Sequence, residues 1–375
     1  MKYQGSNADL IGQPGSRARL TTPALVLDLD ALERNIQTMA GFARERGVAL
    51  RPHAKTHKSG HIARMQVEAG ALGVCVATIG EAEAMVDADI PGVLITSPVV
   101  PPDKIARLMA LNARADGLMV TADNPDNVDA LAAAGLPLRI TVDLNMGRHR
   151  TGVSGAAEGV ALARRIAAAP ALEFAGITAY AGHVQHVEDF AERRRQVIEA
   201  NTAAIELRKG LEQAGLSVPL ISGAGTGSHA IDGDGGPYTE LQVGSYIFTD
   251  VEYDAVALCE DASKPFEAAL FVQSTVVSTN AEGFVTTNAG SKRFAMDGPP
   301  PAVVSGAPAG SSYGFMGDEH GKLILGDGGQ RPALGATIVC LTPHCDPTVN
   351  LYDAYHVVRG DTLVDIWPVD ARGAV

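Results

Sequence analysis

Between residues 30 and 250 the chain alternates between two textures. Short apolar runs, several rich in β-branched residues, come at 48–54 (VALRPHA), 73–78 (GVCVAT), 92–97 (GVLITS), 117–122 (GLMVTA), 138–144 (LRITVDL), 174–180 (FAGITAY), 219–225 (PLISGAG) and 241–248 (LQVGSYIF). Their length and flanking Gly and Pro residues predict strands. Ala-rich stretches with helical spacing separate most of them, among them 29–47, 155–169 and 190–215. In the last, Val197, Ala200, Ala204, Leu207 and Leu211 recur at steps of three and four, which places them on one helical face. Eight strand runs with helices between them predict parallel βα units, closed into a (β/α)8 barrel over 29–250. An open doubly wound sheet is the alternative, but the first βα turn, HAKTHKSG, lacks the GxGxxG of a dinucleotide fold.

After residue 250 the pattern changes. The runs 267–290, 322–328, 336–344 and 353–369 alternate and turn like antiparallel β, around a Pro/Gly/Ser-rich loop at 296–314. A second, all-β domain is expected over 251–375, with residues 1–28 contributing an N-terminal strand. The run 23–30 (PALVLDLD) supplies that strand.

Charge narrows the function. With 43 acidic and 30 basic residues, net charge −13, the chain has no field for nucleic acid and no basic run to create one. No segment is long and apolar enough to span a bilayer, and the N-terminal stretch lacks the apolar core of a signal peptide. Four cysteines are scattered without a CxxC pair. The expectation is a cytoplasmic protein with reduced thiols.

The candidate chemistry gathers at the predicted strand ends, where barrels keep their active sites. LRPHAKTHKSGH (50–61) crowds His53, His57, His61, Lys55 and Lys58 beyond the first strand. A partly desolvated lysine there becomes a usable amine nucleophile; the plain alternative is a lysine reaching out to solvent. SGAGTGS (222–228) follows the seventh strand, where glycines let a backbone approach a phosphate. A strand-one lysine with a Gly-rich loop at that place points to pyridoxal phosphate. In DLNMGRHRTGV (143–153), Arg148 and Arg150 are candidates to neutralise an anionic oxygen. In TPHCDPTVNLYD (342–353), read as extended chain, His344 and Asp346 face one side and Cys345 the other, which makes half a divalent metal site. Water and substrate would complete it, and Mn²⁺, Mg²⁺, Co²⁺ or Zn²⁺ suit the ligands.

These motifs together resemble the D-threonine aldolases of the fold-type III pyridoxal-phosphate enzymes, which share the alanine-racemase barrel and β domain. The resemblance runs from TPALVLDLDALERNI (22–36) to PHCDPTVNLYD (343–353) and rests on RPHAKTHK (51–58), GAGTGS and PHCDPTVN. It implies retro-aldol cleavage of D-threonine and other D-β-hydroxy-α-amino acids to glycine and an aldehyde. Lys55, not Lys58, would be the Schiff-base lysine, and His183, His186 or a metal-bound hydroxide the base. His53, Arg150, Tyr180, Ser222, Gly225, Thr226, Gly227 and Tyr246 would hold the cofactor. His344 and Asp346 would bind the metal, Mn²⁺ foremost. A homodimer is the expected assembly. The related D-serine and D-3-hydroxyaspartate dehydratases share RPHAKTHK but carry His-x-Cys where this chain has His-x-Asp, which favours aldolase over dehydratase. A non-catalytic cofactor carrier is the reading from a different class. NAGSKR (288–293) departs from the acidic first residue expected of many relatives.

Overall fold

In the computed structural model, which describes residues 7–327 and 330–375, the seven apolar runs between 48 and 225 each hold a parallel strand, while the eighth, 241–248, meets its strand only at Leu241 and goes on as loop and a 3-10 turn at Ser245–Ile247. β1 (Ala24–Asp28) leads into α1 (Leu29–Arg46). Then follow β2 (Ala49–Leu50), α2 (Gly60–Glu68), β3 (Cys75–Val76), α3 (Ile79–Asp87), β4 (Leu94–Ile95), α4 (Pro102–Asn112), β5 (Met119–Ala122), α5 (Pro125–Ala133), β6 (Leu138–Leu144), α6 (Ala156–Ala168), β7 (Leu172–Ala179), α7 (Phe190–Gln213), β8 (Ile221–Gly223), α8 (His229–Asp232), β9 (Glu240–Leu241) and α9 (Val251–Asp254).

The helix limits have local causes. The Asp28 carboxylate accepts from the Ala31 amide at 3.1 Å to start α1, and Gly47, with φ of 66°, ends it. Pro102 and Pro125 open α4 and α5, where a missing N–H costs nothing. On α7, Val197, Ala204, Leu207 and Leu211 are buried as their spacing predicts, Ala200 only partly, and Arg193 and Asn201 join the buried face. Arg193 fits there because its guanidinium donates to the Val187, Glu188 and Ala257 carbonyls.

Strands β2 to β9 form one sheet in the order β2-β9-β8-β7-β6-β5-β4-β3. Its two ends meet: His53 bridges Cys75 in parallel, and the Cys75 amide donates to the Pro52 carbonyl at 2.8 Å. The sheet therefore closes into a (β/α)8 barrel, and the open doubly wound alternative falls. All four residues of β5 and six of seven in β6 are buried, as strands covered on both faces should be.

A nine-stranded second sheet contains β10 (Leu270–Ser278), β11 (Phe284–Thr287), β12 (Ala302–Ser305), β13 (Ser312–Phe315), β14 (Gly321–Ile324), β15 (Thr337–Leu341), β16 (Ala354–Arg359) and β17 (Thr362–Pro368). β1 is its ninth strand, antiparallel to β10 but parallel to β16, so the expected all-antiparallel sheet has one parallel pair. The 296–314 stretch is not all loop. AVVS and SYGF within it form β12 and β13, short strands whose signal is swamped by the surrounding Pro and Gly. The helix α10 (Cys345–Val349) lies between β15 and β16. Of the expected N-terminal segment, residues 1–6 lie outside the described residues, as does residue 328 of the 322–328 run. No helix among the described residues is long and apolar enough to cross a membrane, and the four cysteines are unpaired.

Candidate active site

The first barrel strand sets the position of Lys55. Arg51, just past β2, makes a buried two-pronged pair with Glu240 on β9, with Nε–Oε1 at 2.8 Å and Nη2–Oε2 at 3.0 Å. A single 3-10 turn, Ala54–Thr56, then lifts Lys55 into the barrel mouth. His53 caps that turn, its Nδ1 accepting from the Lys55 amide at 3.4 Å. The Thr96 hydroxyl spends its hydrogen on the Val76 carbonyl, so it accepts from His53 Nε2 at 3.1 Å. His53 is therefore the neutral Nε2–H tautomer, and burial keeps it so by pulling its pKa down to about 3.

Three residues on, Lys58 goes elsewhere. Its Nζ donates to Glu81 Oε1 at 2.8 Å in a buried pair on the side of α3. His57 is wholly buried, its Nδ1 accepting from the Ser59 amide at 3.1 Å, and His61 stacks on Trp367. Neither lines the cavity described next.

The His344–Asp346 segment is not extended. His344 precedes α10, and Asp346 is the second residue of that helix. Pro347 falls in the first turn, whose amides need no partner within the helix, so it is compatible with that helix. The Thr348 hydroxyl donates to the His344 carbonyl at 2.8 Å, and the Cys345 amide donates to Asp250 Oδ2 at 3.0 Å. The other oxygen of Asp250 caps α9 through the Tyr253 amide at 3.0 Å. One buried carboxylate thus ties together the starts of both helices that face the barrel mouth. Cys345 is fully buried and outside the cavity.

A cavity of about 490 Å³ occupies that mouth. Of the residues picked out from sequence, Lys55, His53, Arg148, Arg150, Tyr180, His186, Gly225, Thr226, His344 and Asp346 line it. Four others do not. Ser222 is buried in β8, accepting from Gln242 Nε2 at 2.9 Å. The Gly227 amide is already committed to Gln185 Oε1 at 3.0 Å. The Tyr246 hydroxyl accepts from Gln66 Nε2 at 3.0 Å inside the core. His183 is exposed and turned toward Gly147. None of the four lines the cavity, so the structure does not bring them together with Lys55.

Sequence reading overlooked Asp143, Glu252, Asp297, Gly244 and Ser245, all of which line the cavity. Asp143 sits at the C-terminal end of β6, a position that could have flagged it. Burial raises its pKa to about 6, against a hydrogen bond from Thr151, and its Oδ2 has no partner. Asp297 lies in the Pro-rich loop, with nothing in its neighbours to mark it.

Electrostatics bind the two halves of the site. Lys55 Nζ and Asp346 Oδ2 form an ion pair across 291 residues of chain. Burial works against both charges, but the pair outweighs it: the Lys55 pKa is raised and that of Asp346 lowered. His344 Nδ1 bonds to Asp297 Oδ2 at 2.9 Å. His186 Nε2 stands 3.6 Å from Glu252 Oε2, with its ring against Tyr253. Burial lowers the His186 pKa, with Asp250 opposing, so its imidazole is neutral at pH 7.

The residues present fit both groups expected from sequence. For the cofactor, an amine stands opposite a glycine cradle: a Cβ on Gly225 would lie 2.5 Å from Gln185 Oε1, and one on Gly244 2.6 Å from Thr56 Oγ1. For a metal, an imidazole and a carboxylate share the cavity. No group of three or more His, Cys, Asp and Glu side chains among the described residues has ligand geometry.

Comparison with known proteins gives the family. The alanine racemase N-terminal domain matches residues 27–251, and the putative serine dehydratase domain matches 269–358. A D-threonine aldolase from Arthrobacter sp. is 40% identical, the match covering 96% of this chain and 95% of the relative. The chain belongs to the D-threonine aldolase family. It is accordingly an enzyme, a carbon–carbon lyase. The crystal structure of D-threonine aldolase from Filomicrobium marinum superposes with a TM-score of 0.91 at 40% identity, over 95% of this chain and 97% of that one. A 3-hydroxy-D-aspartate aldolase from Paracoccus denitrificans is 36% identical over 97% of this chain and 96% of its own length. The D-threo-3-hydroxyaspartate dehydratase from Delftia is more distant, with a TM-score of 0.83 at 25% identity, over 94% of this chain and 98% of that one.

Proposed function

We propose that this aldolase cleaves D-threonine and related D-β-hydroxy-α-amino acids to glycine and an aldehyde, reversibly. It would use pyridoxal phosphate on Lys55 and a divalent ion, Mn²⁺ foremost, at His344 and Asp346. The observation that carries this reading is the convergence of Lys55 and Asp346 on one cavity beside His344 and the Gly225–Thr226 loop.

A bound cofactor would supply a sink for the electrons of the Cα–Cβ bond, and a bound ion would supply Lewis acidity toward the substrate's hydroxyl. The rest falls to the chain. Lys55 supplies the amine. Gly225, Thr226, Gly244 and Ser245 line the wall suited to a phosphate. Arg150 and Tyr180 lie along the same cavity, Arg150 to meet an anionic oxygen and Tyr180 beside the ring. His186, neutral and facing the metal pair, takes the proton of the substrate's β-hydroxyl; His183 points elsewhere. The carboxylate at 346 supports aldol cleavage over dehydration. A thiolate favours zinc and a carboxylate a harder ion, and Cys345 cannot replace Asp346 because it faces the core. Consistent with the contrast, the Delftia dehydratase is known as a His mutant and as a Cys mutant described as metal-free.

The test is to incubate the holoenzyme with D-threonine and Mn²⁺, with and without chelator. Glycine and acetaldehyde are expected in equal amounts. Chelation should abolish turnover and leave the cofactor's absorbance. Ammonia with a 2-oxo acid would make the enzyme a dehydratase, no turnover would make it a carrier, and full activity in chelator would remove the metal from the mechanism.

A further inference from the structure

Asp297 reaches the cavity from the loop before β12, far in sequence from His344, yet the two are held on one frame. The Thr348 hydroxyl accepts from the Ala295 amide at 3.0 Å while donating to the His344 carbonyl at 2.8 Å. The Tyr352 hydroxyl donates to the Arg293 carbonyl at 2.9 Å, and Phe294 is buried between these anchors. The loop that carries Asp297 is thus fastened to α10, the helix that His344 introduces. The Asp297–His344 contact at 2.9 Å follows from that shared attachment.

We propose that Asp297 is the positioning residue that aims His344 at the divalent ion. The inference rests on the metal reading above. An ionised carboxylate can only accept, so Asp297 obliges Nδ1 to carry the hydrogen and leaves the Nε2 lone pair as the ligand. The same bond fixes the ring plane and makes the imidazole a better donor, as outer carboxylates do for metal-bound histidines. Among the described residues, Asp297 is the acceptor that His344 Nδ1 meets. Asp297 is half exposed, so replacing it should leave the fold intact.

The experiment titrates Mn²⁺ into the holoenzyme and reads free Mn²⁺ by electron paramagnetic resonance, for wild type, H344A, D297A, D297N and D297E. The expected result is loss of the site in H344A and Mn²⁺ affinity weakened about 10- to 100-fold in D297A. D297N should fall between D297A and wild type, and D297E should recover part of the loss. Cofactor absorbance and melting temperature should stay at wild-type values in the Asp297 variants. Wild-type affinity in D297A, with the site lost in H344A, would overturn this inference and leave the metal reading standing. Wild-type affinity in H344A would overturn the metal reading itself. A loss in D297A that D297E does not recover at all would also overturn the inference, because the loop and not the carboxylate would then be what matters.

Discussion

Two lysines three positions apart have opposite fates. Lys55 rides a one-turn 3-10 helix into the cavity. Lys58 has φ of 51°, a left-handed backbone that a lysine adopts only under outside constraint. Here the constraint is visible: its Nζ reaches Glu81 at 2.8 Å and its carbonyl accepts from the Ala371 amide at 3.1 Å. The sequence placed both lysines beside a strand end, and the resemblance alone separated them. K55A should therefore abolish the cofactor's visible absorbance and all turnover, and it too leaves a carboxylate, Asp346, without its cation. K58A should retain the cofactor but lose stability, on the order of 3 kcal/mol, because Glu81 is left buried without its cation. Denaturant unfolding of the two variants beside absorbance spectra decides the assignment.

At the scale of elements, the eight strands were legible because each is a compact apolar run between turn residues. Their exact pairing was not. β2, β3, β4 and β9 have only two residues apiece, so their hydrogen bonds depend on the closed barrel and not on local propensity. The helix at 345–349 and the strands at 302–305 and 312–315 were misread, since Pro and Gly are ambiguous until their neighbours are placed. The glycine loop shows the same division. Gly225 lines the cavity, yet Gly227 is the tighter position: a Cβ there would lie 1.9 Å from the Gln185 carbonyl oxygen. At Gly225 the obstruction is the buried Gln185 side-chain amide, which can give way only by loosening its hydrogen bonds to Ala181, Gly227 and Ser228, whereas at Gly227 it is backbone. G227A should therefore lose more melting temperature than G225A, while G225A should weaken cofactor binding without comparable unfolding. Thermal melts with and without added cofactor test the order.

For the whole molecule, buried ionisable groups set how stability follows pH. Burial raises the Asp232 pKa to about 6, against a hydrogen bond from Asn201 Nδ2 at 2.8 Å. The unfolded value is near 3.8, so the unfolded chain releases this proton first. The contribution of Asp232 is whole below pH 4 and lost as pH rises through about 6. D232N keeps the shape and an acceptor for Asn201 without a charge to ionise. Its melting temperature relative to wild type should thus climb between pH 4 and pH 8; a difference independent of pH would refute the assignment.

What the sequence determined by itself was local: strand runs, helix starts and stops, a lysine at a strand end, a glycine loop and the His-x-Asp pair. Such features depend on residues a few positions apart, and periodicity or a motif records them. The tertiary structure alone decided which of these groups meet. Barrel closure through His53 and Cys75 sets the rim, and the second sheet delivers α10 onto it. Only then does Lys55 find Asp346, His186 face the site while His183 turns out, and Asp297 reach His344. Those contacts join residues remote in the chain, and their distances follow from how the layers pack, which no short stretch of sequence encodes.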